Sequence, residues 1–228
     1  MLAMKSRLHS ESLRTAAPVH QPRHRLWSAL VLLTGLLGAG AALAAVEGAK
    51  VGQPAPGFEM TDTKGQPRSL AEMKGKVVVL EWANFECPYT RKHYDSGNMQ
   101  ALQREAAEAG AEWLVVISSA PGEEGHVSAE EANRLIAERD GAPAAVLLDE
   151  EGTLGRLYGA KTTPHMYVVD KDGVLAYMGG IDSIASARVE DVSAAEPWFG
   201  DALRAVLKGE EPARAVTRPY GCSVKYAR

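Results

Sequence analysis

Short apolar runs alternate with amphipathic stretches from residue 77 onward. Val77-Val78-Val79-Leu80 is a continuous apolar run, as a strand buried on both faces requires. Trp113 to Ser118 (WLVVIS), Ala145 to Leu148 and Met166 to Val169 repeat the pattern. Asp170-Lys171-Asp172-Gly173 is a tight turn that sends Val174 to Met178 back as a hairpin partner. Between the runs lie helical stretches. Tyr89 to Ala109 is interrupted by Asp95-Ser96-Gly97-Asn98, which predicts a short helix, a kink or loop, and a second helix from Met99 to Ala109 ended by Gly110. Ser128-Ala129-Glu130-Glu131 is a capping box opening a helix through Arg139. Glu151 to Gly159 reads as a short helix, and Ala194 to Leu207 as a last one with Trp198, Leu203, Val206 and Leu207 on its apolar side. Val51 to Leu70, rich in Pro and Gly, reads as a lead-in with one strand-like piece at Phe58–Met60. Strands alternating with helices, then a hairpin, predict an α/β fold: a mixed sheet with helices on both faces.

Three segments follow. Residues 1–44 read as a signal peptide: basic residues Lys5, Arg7, Arg14, Arg23 and Arg25 precede an uncharged run from Leu26 to Ala45 that ends in Ala42-Leu43-Ala44, a small-residue cleavage site. The alternative is an uncleaved anchor over residues 26–45, since the run is close to the ~20 residues a spanning helix needs. The expected location is therefore periplasmic or secreted, or anchored and facing away from the cytoplasm, with the membrane a partner only in the second case. Residues 45–208 form the expected domain, long enough for a sizeable core. Residues 209–228, with Pro212, Pro219 and Gly221, read as an extended C-terminal arm carrying Cys222. The chain of 228 residues has a net charge of -4, and all but one of the charged residues before the cut are basic, so the part after it is more acidic still. That argues against nucleic acid or anionic lipid as partners.

The chemistry centres on Cys87, which follows the first buried strand and precedes Pro88, a residue suited to the first helical position. A sulfur at a helix start faces unpaired N–H groups and the positive end of the helix dipole, which favours thiolate, the reactive form. The plain alternative is a small buried hydrophobe. Thr90, three residues on, can bring its hydroxyl to the sulfur from the first turn, and Arg91 can add positive charge. Thr162-Thr163-Pro164-His165 lies directly before a strand. Thr163-Pro164 is either a cis bond in a tight turn or a plain trans proline, and local sequence favours the second. A proline there leaves neighbouring backbone groups free to pair with an extended chain. The two cysteines, Cys87 and Cys222, are an even pair, able to bridge in an oxidising compartment. His93 and His126 match no zinc spacing, so neither a metal nor another cofactor is expected.

Strand, Trp82, Cys87-Pro88-Tyr89-Thr90, helix, and then Thr163-Pro164 before an antiparallel hairpin together resemble the thioredoxin-like superfamily. Within it the chain is most similar to the redoxin or peroxiredoxin-like (AhpC/TSA-type) branch. Gly52 to Phe58 resembles that branch's opening segment, and Asp149 through Gly173 its second half. The resemblance spans about Val51 to Ile181, and Gly221 to Lys225 weakly resembles a C-terminal cysteine segment of some members. Two departures stand out. Thr90 takes the place of a thioredoxin's second cysteine, and Asn84 that of the hydroxyl residue preceding a peroxidatic cysteine.

The resemblance implies a thiol-dependent oxidoreductase. In it Cys87 attacks a peroxide or a protein disulfide, Cys222 closes a disulfide with it, Thr90 supports the sulfur, and Thr163 and Pro164 bind substrate. An external thiol reductant is then the partner that resets the pair. Two alternatives stay open: a permanent Cys87–Cys222 bridge tying the arm to the core, and a binding module that holds extended peptides without turnover.

Overall fold

The computed structural model describes residues 48–227. The segment read as a signal peptide, or as an anchor over 26–45, lies outside the described residues. In chain order the elements are β1 (Glu59–Thr61), β2 (Pro67–Ser69), β3 (Val78–Trp82), α1 (Pro88–Asp95), α2 (Asn98–Glu108), β4 (Glu112–Ile117), α3 (Ala129–Glu138), β5 (Ala145–Leu148), α4 (Thr153–Tyr158), β6 (Thr162–Thr163), β7 (His165–Val169), β8 (Leu175–Gly179), α5 (Trp198–Leu207) and β9 (Cys222–Ser223).

The sheet runs β5-β4-β3-β7-β8. β3 pairs parallel with β4, and β4 with β5, while β7 lies antiparallel to both β3 and β8. This is the α/β mixed sheet flanked by helices that the pattern predicts. All five residues of β3 and of β7 are buried, which is why both read as apolar runs rather than as alternating strands. One face packs Val79, Val115 and Val168 against Met99 and Leu102 of α2 and Phe199 and Leu203 of α5. The other packs Leu80, Trp82 and Tyr167 against Leu154 and Tyr158 of α4 and against Phe58 from the lead-in.

Three elements differ from expectation. The last helix begins at Trp198 rather than Ala194, because Pro197 cannot donate to a preceding turn and takes the N-cap. Thr162–Thr163 forms a strand of its own, β6, that no local pattern announces. The arm is extended as predicted, but it is held against the domain. Ala215 to Thr217 run along β8, with Met178 N–H donating to the Ala215 carbonyl at 3.0 Å and Thr217 N–H to the Met178 carbonyl at 3.2 Å. β9 then pairs antiparallel with β6, placing Thr163 opposite Cys222.

One charged residue breaks the apolar rule in β3. Glu81 is fully buried and is held by Trp113 Nε1 at 2.8 Å, the Tyr94 hydroxyl at 3.0 Å and Gln103 Nε2 at 3.3 Å. Burial pushes its carboxyl up to about 7, with those donors pulling the other way. A carboxyl whose folded value is raised contributes stability that is full below its unfolded value and is lost as pH rises through the folded one. His93 and His165, held low by burial, slope the opposite way, losing stability as pH falls below their unfolded value. The difference between wild type and Glu81→Gln therefore isolates the carboxyl. The variant should gain stability relative to wild type as pH rises from about 5 to 7, by at most ~1.4 kcal/mol per pH unit. Urea unfolding across that range checks it; parallel curves would refute it.

Candidate active site

The site forms where the C-terminal end of β3, the start of α1, the turn before β7 and the arm converge. Cys87 is the N-cap of α1, in extended backbone geometry, and Pro88 opens the helix. Its N–H donates to the Asn84 carbonyl at 3.0 Å, and its own carbonyl accepts from Arg91 N–H at 3.0 Å, so the strand-to-helix turn is fixed on both sides. Neighbouring side chains hold the end of β3. Trp82 Nε1 donates to Ser118 Oγ at 3.0 Å, Ser118 donates to Asp149 Oδ2 at 2.6 Å, and Asp149 accepts Leu154 N–H and Gly155 N–H from α4 at 3.0 and 2.8 Å.

Opposite the sulfur, the Thr163–Pro164 peptide bond is cis. The plain trans proline favoured by local sequence is thus not what the fold contains. The Cys87 thiol donates to the Thr163 carbonyl at 3.1 Å. The Cys87 side chain is buried, and β9 lies over it with Cys222 half-buried; both cysteines are free thiols.

The two sulfurs share one environment. Burial alone would push the Cys87 thiol up. The Cys222 thiol, the Thr163 side chain, and the N–H groups of Thr90 and Cys222 outweigh it and bring the thiol below its usual range. Cys222 goes the other way, to about 12, through burial, through donating its proton to Cys87, and through repulsion by that sulfur and by Glu124. When the pair gives up its first proton, that proton therefore leaves Cys87, ending the donation to the Thr163 carbonyl, and Cys222 keeps its own.

Among the residues singled out from sequence, Cys87, Cys222, Thr163 and Pro164 meet here. Thr90 meets them differently from expectation. Its backbone N–H addresses the sulfur, while its hydroxyl is buried without a hydrogen-bond partner. The Thr163 hydroxyl is likewise buried without a hydrogen-bond partner, near enough to the same sulfur to help lower its thiol. Arg91 is exposed on the outer side of α1. Asn84 ties its own loop to the one after β4: Oδ1 accepts Glu86 N–H at 2.8 Å, and Nδ2 donates to the Glu124 carbonyl at 3.3 Å. His165 packs on Tyr167, 3.0 Å from its hydroxyl, and His126 faces Glu150 at 3.2 Å. Among the described residues no three His, Cys, Asp or Glu side chains gather as a metal site.

Sequence reasoning missed two features. One is Glu81, whose signal was a carboxylate inside an apolar run. The other is the way the arm is held. Gly221 has φ +136°, and a Cβ there would fall inside the Thr163 carbonyl. Beyond Cys222, Val224 N–H donates to the Lys161 carbonyl at 3.1 Å and Ala120 N–H to the Lys225 carbonyl at 2.8 Å. The Tyr226 ring then fills a notch left open by Gly152 and Gly155, its hydroxyl 2.8 Å from the Ala160 carbonyl.

A mixed α/β domain with a cysteine capping a helix against a cis-proline turn defines a thioredoxin-like class of protein. The sequence profile of the AhpC/TSA family matches residues 51–178, more than half of the chain, and the chain belongs to that family. It is similar to the thioredoxin-like protein YneN of Bacillus subtilis, 31% identical over 129 residues, covering 56% of this chain and 70% of that one. It is also similar to the thiol-disulfide oxidoreductase ResA of Geobacillus kaustophilus, 27% identical over 130 residues, covering 54% of this chain and 65% of that one. An uncharacterised conserved protein from Geobacillus kaustophilus shares the fold with a TM-score of 0.63 at 23% identity, over 78% of this chain and 93% of the other. A hypothetical protein from Sinorhizobium meliloti does so with a TM-score of 0.62 at 21% identity, over 79% and 97%. The enzyme class expected from sequence, a thiol oxidoreductase, agrees with the name ResA carries.

Two outcomes test this geometry. Cys222→Ala removes the main donor to Cys87, so the ultraviolet thiolate absorbance of Cys87 should titrate at higher pH than in wild type; an unchanged titration would refute the proton sharing. Gly221→Ala should undock the arm, exposing the Lys225–Tyr226 bond to trypsin at least tenfold faster while the domain stays folded. Equal cleavage rates would show that β9 does not depend on this glycine.

Proposed function

We propose that the protein is a thiol-disulfide oxidoreductase working outside the cytoplasm, with Cys87 as nucleophile and Cys222 as its intramolecular partner. The observation that carries this reading is the contact between a thiolate-favouring helix-cap sulfur and a proton-holding sulfur on a separately docked strand. The Cys87 thiolate attacks one sulfur of a substrate disulfide, a mixed disulfide forms, and the other substrate sulfur leaves as a thiol with a proton from solvent. With the Cys87 charge consumed, the hydrogen bond and the repulsion from that sulfur, which add to burial in holding Cys222 protonated, are gone. Cys222 then loses its proton to solvent and attacks the Cys87 sulfur. The remaining substrate thiol departs, and a Cys87–Cys222 disulfide is left. The substrate gains two electrons, the protein loses them, and an external dithiol restores the pair.

Disulfide exchange is favoured over peroxide reduction because Asn84, at the position of the expected peroxide ligand, spends Oδ1 on the Glu86 N–H and Nδ2 on the Glu124 carbonyl. Thr163 and Pro164 supply the strand edge against which a substrate segment lies. The expected export rests on the basic and apolar pattern of residues 1–44.

Equilibration in glutathione buffers followed by thiol alkylation and intact mass measurement distinguishes cycling from a permanent bridge. A cycling pair has a potential above about -300 mV, and a staple lies below it. Cys87→Ser should abolish reduction of a model protein disulfide; full turnover by that variant would overturn the proposal.

A further inference from the structure

The recess beside the active site is more polar than a core should be. Lys92, on α1, has no exposed side-chain surface, and its Nζ donates to Asp182 Oδ2 at 3.1 Å and to the Ile184 carbonyl at 3.1 Å. His93 beside it is also fully buried, with Nδ1 3.0 Å from the Asn98 amide. The Asn98 amide donating to Nδ1 leaves Nε2–H free to donate in turn. A buried cation and imidazole of this kind need every partner they can find. The missing partner comes from the arm. The Tyr220 hydroxyl lies 3.3 Å from Lys92 Nζ and 3.3 Å from His93 Nε2, and it donates to Asp182 Oδ1. One phenol oxygen thus accepts twice and donates once, the full capacity of a hydroxyl. The ring itself packs edge-on against Tyr89, with centroids 5.8 Å apart.

Tyr220 sits two residues before Cys222, and Lys92 and His93 lie on the same helix that Cys87 caps. The recess and the nucleophile are therefore fixed to one rigid element, and the tyrosine fixes the arm to that element. In extended chain, two residues span about 7 Å with little slack. Seating the phenol therefore sets where the Cys222 sulfur falls along β6.

We propose that Tyr220, held by Lys92, His93 and Asp182, is a positioning residue that sets the register of Cys222 against Cys87 and so governs how readily the intramolecular disulfide closes. This inference rests on the reading of Cys87 and Cys222 as a redox pair. Phenylalanine keeps the ring on Tyr89 but removes the oxygen that three buried groups share. The arm then keeps its pairing at β9 and its Tyr226 end, and loses the fixed point nearest the cysteine.

The test uses the full chain carrying Tyr220→Phe. In glutathione buffers its Cys87–Cys222 equilibrium should shift toward dithiol at least tenfold, which is about 30 mV for a two-electron couple. Resolution of a preformed Cys87–glutathione mixed disulfide should slow by a similar factor. Attack of Cys87 on oxidised glutathione, measured in a Cys222→Ser background with and without Tyr220→Phe, should stay within twofold and so report an intact fold and nucleophile. Tyr226→Phe, at the far end of the arm, should shift the equilibrium less than threefold. Wild-type equilibrium and resolution in Tyr220→Phe overturn the positioning role alone. If the wild-type chain closes no Cys87–Cys222 disulfide at all, the redox-pair reading fails and this inference falls with it. Loss of the first attack rate in the double variant would mean that the tyrosine acts on the fold or on Cys87 itself rather than on the register of Cys222, and overturns its positioning role.

Discussion

Two sulfurs brought to share a proton at the start of α1 are the constraint on which the rest of the site depends. A helix-cap thiol buried beneath a strand loses solvation, and desolvation alone would keep it protonated. The surroundings reverse that through several donors at once: a second thiol, the Thr163 side chain and two backbone N–H groups. Three of those four lie on β6 or β9, outside the strand-to-helix turn that carries Cys87. The lowered range of its thiol is thus a property of the docked arm as much as of the helix start.

Once that dependence is recognised, much of the remaining architecture reads as support for β9. The arm is fixed at three places by different physics. Ala215 to Thr217 lengthen the sheet beside β8 through backbone pairing, and Tyr226 fills the notch over Gly152 and Gly155. Tyr220 enters a buried polar recess. Between the last two, Gly221 lets the chain pass the Thr163 carbonyl with no side chain in the way. A strand of two residues has little stability of its own, so its place is set by its flanks.

The cis-proline turn is the edge onto which the arm folds. A free strand edge presents unpaired backbone groups that another extended chain can complete. Here the chain completes it with its own last residues, and Cys222 is delivered opposite Thr163. In the proposed reaction, internal partner and external substrate would therefore compete for one edge.

Local pattern was enough for the five strands of the main sheet, most helices, the hairpin and the helix-cap cysteine, because each is written in residues a few positions apart. Buried strands must be apolar throughout, and a proline after a cysteine suits a helix start. The same logic made Thr163-Pro164 a candidate, although the isomer of that bond is set by what packs around it. Tertiary structure alone decided three things: that Glu81 is tolerated inside β3, because Trp113, Tyr94 and Gln103 converge on it from three elements; that the Thr90 backbone, and not its hydroxyl, supports the sulfur; and that Cys222, 135 positions beyond Cys87, returns to meet it. Each of these rests on contacts between residues far apart in the chain. Periodicity and spacing report only on neighbours, so no reading of adjacent residues could have supplied them.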